Sequence, residues 1–190
     1  MKTKTHPYLI FLLLFILPFF TINAQIKDTL VSYVRYNLNG PQINGSHTIE
    51  IGGSKSNNQV TNMVIPDGPN SSHKITEIDY MDVDQEGGAY FKIPAQTGLI
   101  ELTKLNRDDF SFSIFIDNKN LKAKSVSFHI LEVVEDKIMK MRLSLIKGRF
   151  EGVMEYIYND NGEHIESYTV HGTFQYISPM YERKLKRKNK

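Results

Sequence analysis

Phe110-Ser111-Phe112-Ser113-Ile114-Phe115-Ile116-Asp117 sets Phe110, Phe112, Ile114 and Ile116 in alternation with Ser111, Ser113, Phe115 and Asp117. Successive side chains of an extended chain point to opposite faces, so a period of two with one wholly apolar side predicts a strand resting on a core. Met139, Met141, Leu143 and Leu145 alternate with Lys140, Arg142, Ser144 and Ile146 in the same manner, before Lys147 and Gly148. Less regular strands are expected near 29–37, 47–52, 59–65, 74–81, 89–93, 98–104 and 124–134. No stretch keeps an apolar stripe at helical spacing, and only short helical pieces are expected, near Leu105–Asp109 and close to the C-terminus.

Turn chemistry separates these runs at Asn39-Gly40-Pro41, Gly52-Gly53-Ser54, Pro66-Asp67-Gly68-Pro69-Asn70, Gly87-Gly88 and Glu135-Asp136. The most specific local expectation is a hairpin from Arg149 to about Ile177. A three-residue loop of Asp160, Asn161 and Gly162 places glycine at the left-handed position, pairs Asn159 with Glu163, and aligns Tyr158 with His164. The same register sets Tyr156 against Glu166, Met154 against Tyr168 and Gly152 against Val170. A two-residue loop would slip the register by one and send the large apolar side chains of the two strands to opposite faces. About ten short strands divided by Gly, Pro and Asn predict an all-β fold, an antiparallel β-sandwich first and a closed β-barrel second.

Outside that body, Lys2 and Lys4 precede an apolar run from Tyr8 to Phe20, and Thr21-Ile22-Asn23-Ala24 follows it. A charged start, an apolar stretch of about 13 residues and a small residue at the exit match a signal peptide cleaved before Gln25. A helix needs roughly 20 apolar residues to cross a bilayer. The expected organisation is a signal peptide over 1–24, one domain over 25–182 and a basic, disordered tail over 183–190, in a protein that is periplasmic, outer-envelope-associated or secreted. With no cysteine, the chain has neither disulfides nor thiolate chemistry.

The net charge of +2 conceals a separation. Without Lys2 and Lys4 the remainder has 21 basic and 21 acidic residues. Six of the basic ones, Arg183, Lys184, Lys186, Arg187, Lys188 and Lys190, lie in the last eight positions, which leaves residues 25–182 with 15 basic against 21 acidic. A basic tail on an acidic body offers attraction to an anionic surface such as lipid headgroups, glycan or nucleic acid. The plainer reading is a solvated end, since like charges repel without any partner.

Gly98-Leu99-Ile100-Glu101-Leu102-Thr103-Lys104 followed by Phe110-Ser111-Phe112-Ser113-Ile114-Phe115, Gly148-Arg149-Phe150-Glu151-Gly152, Asn161-Gly162 and Gly172-Thr173-Phe174 form a pattern of strand and turn signals. Together with a leader ending Asn23-Ala24-Gln25, this pattern resembles small exported β-sandwich proteins of Bacteroidetes-type bacteria, an uncharacterised family. The resemblance implies an envelope β-sandwich and assigns no catalytic residues. Many such proteins carry a lipid-anchoring cysteine at the cleavage site, where this chain has Gln25.

Candidate chemistry is sparse. Asp82-x-Asp84-x-Glu86-Gly87 echoes the opening of a calcium loop, where alternating carboxylates converge on a hard cation, but the closing glutamate position is Ile93. A looser calcium site at Asp82, Asp84 and Glu86 stays open beside the solvent face of a strand that enters a turn. No other cofactor is expected. His47, His73, His129, His164 and His171 form no zinc-protease motif and read as histidines satisfied on strand surfaces. Tyr156, Tyr158 and Tyr168 share a face of the last hairpin and suit either a sugar or peptide groove or the packed side of a sheet. The sequons Asn44-Gly45-Ser46 and Asn70-Ser71-Ser72 read as turn composition in a bacterial chain.

Neither a nucleophile elbow nor a phosphate loop occurs. The expected function is therefore non-enzymatic binding or structural association, with an envelope protein or glycan as partner. Two alternatives remain: a hydrolase whose carboxylates meet across a cleft, Asp82 or Asp84 with Glu166, and a small-ligand carrier if the fold is a hollow barrel. Export predicts that the N-terminus of the protein recovered outside the cytoplasm is Gln25. Intact mass measurement checks this, and a mass retaining residues 1–24 is the contrary result.

Overall fold

The alternation at 110–116 builds a strand whose Phe112 and Ile114 are buried, while Phe110 and Ile116 pack at the edge of the core. The computed structural model describes residues 30–51, 57–66, 74–103, 110–139, 141–157 and 165–188. Among them are the strands β1 (Tyr33–Asn39), β2 (Asn44–Glu50), β3 (Gln59–Pro66), β4 (Lys74–Asp82), β5 (Gly87–Pro94), β6 (Gly98–Leu102), β7 (Ser111–Ile116), β8 (Lys119–Glu135), β9 (Leu143–Ile157) and β10 (Ile165–Ile177). One helix, α1 (Pro179–Lys188), follows.

All pairings are antiparallel and belong to one sheet ordered β2-β1-β10-β9-β8-β7-β5-β4-β3, with β6 beside β8. The expected all-β class holds, as a single strongly curled half-barrel sheet. Strand β8 is long enough to serve two neighbours along one edge, β7 through Lys122–Lys119 and β6 through Ile130–Val126.

Curling has a local cause in the β8–β9 ribbon. The register shifts between Ala123 and Ser125, between Ile130 and Glu132, and again between Val134 and Glu135. Each extra residue bends the strand and reverses which parity faces inward. Core positions accordingly pass from Leu121 and Ala123 to Val126, Phe128 and Ile130, then to Val133. Gly152 sits opposite the first shift at φ +154°, where a Cβ would lie 2.2 Å from the Ser125 carbonyl oxygen. Only glycine allows so close an approach.

The last hairpin has the expected register: Tyr156 faces Glu166, Met154 faces Tyr168 and Gly152 faces Val170. Its loop, including Tyr158, Asp160–Gly162 and His164, lies outside the described residues, as do the turn segments 52–56 and 67–73. Three expectations change. The Met139–Leu145 alternation is not one strand, because β9 begins at Leu143 and the extra residue near Ser144 turns Leu143 and Ile146 into the core, leaving Met139 and Met141 exposed in the preceding loop. The turn ascribed to Gly87-Gly88 is made by residues 83–86, and both glycines begin β5. Residues 183–188 of the expected disordered tail continue α1, which Pro179 opens at the first helical position after Ser178. The Ser178 hydroxyl caps the Tyr181 amide, and basic residues in the last turn suit the negative end of the helix dipole.

Five phenylalanines fill the centre. The Phe91 ring lies 4.8 Å from Phe112, 5.9 Å from Phe128, 5.8 Å from Phe150 and 4.9 Å from Phe174. Strands β5 and β10 stand four places apart in the sheet, a path of about 19 Å at the usual strand spacing. Their rings can stack only because the sheet folds back on itself. Asn62 fastens one margin of the fold: its Nδ2 donates to Thr76 Oγ1 at 2.7 Å, and its Oδ1 accepts from the Leu143 amide at 2.9 Å. The Val64 amide donates to the Met141 carbonyl at 2.8 Å and tightens the same join.

Removing the ring at the centre should loosen both halves together. Phe91→Ala is expected to cost about 3–5 kcal/mol in urea unfolding, whereas Leu99→Ala on the exposed strand β6 should stay within about 0.5 kcal/mol.

Candidate functional site

Curling brings β1 and β2 over the β4–β5 and β7–β8 turns, and a cavity of about 100 Å³ opens along this seam. Tyr36, His47, Thr48, Asp82, Gln85 and Asp117 supply its polar side chains, with Gly87, Gly88 and Ile116 beside them. Each is held for a reason legible in the local chain. Tyr36 and His47 are cross-strand partners whose rings stack at 5.3 Å, in a register set by the Asn39–Asn44 turn. Asn44 closes that turn by exchanging side-chain hydrogen bonds with Gly40. Asp82 ends β4 and is buried, and its Oδ1 accepts from the Gln85 amide at 3.1 Å. Asp117 and Asn118 form a two-residue hairpin loop with φ of 49° and 60°, the left-handed pair that such a loop requires.

Among the described residues that line this cavity, the charged ones are the carboxylates Asp82 and Asp117. Burial pushes the Tyr36 hydroxyl far above its ordinary value, and the negative charges of Asp82 and Asp117 add to the effect. His47 moves the other way: burial lowers its pKa, opposed by the attraction of Asp117, so the neutral ring is favoured. Its Nε2 is buried without a hydrogen-bond partner. Such an orphan costs about 1–3 kcal/mol unless something fills it. This corrects the expectation of a satisfied surface histidine at position 47. His171 bonds Asn37 at 2.9 Å and His129 bonds Arg149 at 3.1 Å on exposed strand surfaces, while His73 and His164 lie outside the described residues.

The residues expected to bind calcium are only partly gathered. Asp82 lines the cavity, whereas Asp84 and Glu86 are exposed in the turn and Asp84 accepts from Asn57 at 3.3 Å. Among the described residues, no three histidine or carboxylate side chains converge as metal ligands.

Beside the seam, past the β7–β8 turn, lies a second cluster. Lys119 Nζ donates to Glu166 Oε2 at 2.5 Å, to Gln42 Oε1 at 2.6 Å and to the Tyr168 hydroxyl at 3.4 Å, and stands 4.8 Å from the centre of the Tyr156 ring. Gln42 and the Tyr168 hydroxyl also donate to Glu166. Desolvation pulls the Lys119 pKa down, but its bonds to Glu166 and Tyr168 outweigh this and raise it. The same bonds, Lys119 first, hold Glu166 below the usual carboxylate value. Of the two readings expected for this tyrosine face, groove or packed side, Tyr168 takes the packed one. Tyr168 is fully buried with Gly40 against its ring, Tyr156 is occupied by Lys119, and Tyr158 lies outside the described residues.

No family model, curated protein or solved structure matches the chain. Sequence reasoning singled out Asp82 but missed Tyr36, His47 and Asp117. The available signal was Asp117-Asn118, a residue pair that tolerates positive φ between two strand-like runs.

The Lys119–Glu166 pair yields a pH-dependent prediction. A depressed carboxyl pKa contributes stability that is present above the unfolded value of about 4.3 and lost as pH falls through the lower folded value. Glu166→Gln should destabilise by about 1–2 kcal/mol at pH 7, and the difference from the parent should be smaller at an acid pH below the unfolded value of about 4.3. Urea titrations at both pH values check it.

Proposed function

We propose that the protein is an exported, non-enzymatic binding module whose seam cavity receives a primary ammonium group, such as the tip of a lysine side chain or the end of a polyamine. The observation that carries this reading is a small cavity with two carboxylates, no cation among the described residues of its lining, and a buried imidazole nitrogen lacking a partner. An ammonium has three diverging N–H donors. Asp82, Asp117 and neutral His47 offer three acceptors from three separate elements. The volume suits a few water molecules or one small organic cation.

Several observations favour binding over catalysis. Glycoside hydrolysis needs one carboxyl kept protonated by a raised pKa. Glu166 is instead lowered and tied to Lys119, in a cluster apart from the one that holds Asp82. The carrier alternative needs an apolar hollow, and the stacked phenylalanine rings occupy the middle of the fold. We read the half-barrel as two facing layers of one folded sheet, in keeping with the expected sandwich, because rings from β5 and β10 touch across the interior. The leader pattern and the resemblance to small exported proteins of Bacteroidetes-type bacteria support a place in the envelope or outside the cell.

Methylammonium is the simplest probe. At a ceiling of about 1.5 kcal/mol per heavy atom, its two heavy atoms allow a Kd no tighter than about 6 mM. About 100 mM would then stabilise the fold by at most about 1.7 kcal/mol, a melting shift of a few degrees. Tetramethylammonium, equally charged but bulky and without N–H donors, should give no such shift. Asp82→Asn and Asp117→Asn should each abolish the methylammonium effect. Binding should also weaken as pH falls through the lowered His47 pKa, because a protonated imidazole offers no acceptor and repels the ligand. Equal shifts from methylammonium, tetramethylammonium and sodium would refute the reading.

A further inference from the structure

At the end of the sheet opposite the seam cavity, the β8–β9 loop presents apolar side chains to solvent. Ile138 is 76% exposed, Met139 47% and Met141 63%. Hydrogen bonds hold the described residues on either side of Lys140. Asp136 Oδ1 accepts from the Ile138 and Met139 amides at 2.8 and 3.0 Å, the Arg142 amide donates to the Met139 carbonyl at 3.0 Å, and the Met141 carbonyl is tied to Val64. A backbone held this firmly while its apolar side chains face water is a built surface, since isolated folding gains nothing from exposing them.

Helix α1 stands at the same end. The Ser178 amide, just before the helix, donates to the Ser144 carbonyl at 2.9 Å, and the charges of Arg142 and Asp136 both reach Tyr176. Tyr181, Glu182 and Leu185 are half-buried, while Arg183, Lys184, Lys186, Arg187 and Lys188 are all exposed, with Lys186 bonded to Glu182. Five basic residues against the single acid Glu182 give the helix a formal charge of +4. The acids of the neighbouring strand end are matched, Glu135 by Lys74 at 2.6 Å and Glu132 by Lys147 at 2.8 Å.

We propose that this end docks on an anionic lipid bilayer, with Ile138, Met139 and Met141 entering the headgroup boundary and α1 lying against the charged surface. Nucleic acid or a soluble glycan would account for the basic helix but not for the exposed apolar tips. A purely apolar partner would account for the tips and not for the helix. An anionic membrane takes both, since binding strength there combines buried apolar area with charge attraction. The inference is independent of the ammonium cavity at the other end.

The test uses the exported form of the protein, its N-terminus fixed by mass, in cosedimentation with vesicles. Vesicles of 30 mol% phosphatidylglycerol in phosphatidylcholine should bind it and pure phosphatidylcholine should not, with binding weakened by salt. Ile138→Ser with Met139→Ser should reduce partitioning about tenfold. Replacing Arg183, Lys184, Lys186 and Arg187 by Gln should reduce it about a hundredfold or more. All six positions are exposed, so both variants should keep the strand signal in far-UV circular dichroism, the glutamine variant losing only the helix-end support of its last-turn bases and the Lys186–Glu182 pair. Three results would overturn the proposal: equal binding to neutral and anionic vesicles, tight binding to heparin with no effect of the serine variant on vesicle binding, or a dimer that the serine variant dissolves.

Discussion

The stacking of Phe91 on Phe174 is the contact on which the rest of the architecture depends. It joins strands that lie about 19 Å apart along the sheet, so it exists only if the sheet turns through the interior and returns. Without disulfides, the energy for that return must come from packing. Fully burying large apolar side chains is worth roughly 1.5–3 kcal/mol each, and aromatic pairs add about 0.5–1.5 kcal/mol. The register shifts in β8 and β9 let the chain take the bend. They keep the apolar side inward by changing parity wherever the strand direction changes.

Closing a sheet this way leaves a join, and the join is treated differently along its length. Where β3 meets the start of β9, Asn62 satisfies both sides of its amide with Thr76 and the Leu143 backbone, so burial costs little. Where β1 and β2 meet the turns, His47 keeps an unpartnered nitrogen and carboxylates face a small void. A fully satisfied join specifies structure. An unsatisfied one stores affinity for whatever supplies the missing donor, which is why the two stretches are read so differently.

Much of the fold was legible because strand periodicity and turn residues are local. The Arg149–Ile177 register followed from parity and one glycine. What the sequence could not convey was where parity breaks. The extra residue near Ser144 changes which side of the chain faces inward, and nothing in Met139-Lys140-Met141-Arg142-Leu143 marks it, since the same letters serve a strand or a tied loop with exposed methionines. The seam cavity was hidden for a related reason. Tyr36, His47, Asp82 and Asp117 come from β1, β2, the end of β4 and the β7–β8 turn, and no spacing joins them until the sheet has curled. Tyr156 and Tyr168 share the expected face, but sharing a face does not say whether it looks outward, and Tyr168 looks inward.

Both proposed sites therefore lie at the ends of the sheet and not on its faces. One end gathers Asp82, Asp117 and Glu166, the last matched by Lys119. The other carries the basic helix and the exposed methionines. Turns and termini are where a curled sheet can place side chains without regard to the inward and outward alternation that governs its strands. A charge difference between opposite ends also orients the molecule in an external field, because an anionic surface attracts one end and repels the other. If the helix end rests on such a surface, the ammonium cavity faces away from it, open to ligands arriving from the aqueous side. The fold then acts as a rigid spacer between two chemically opposite sites, and the stacked phenylalanines keep them apart.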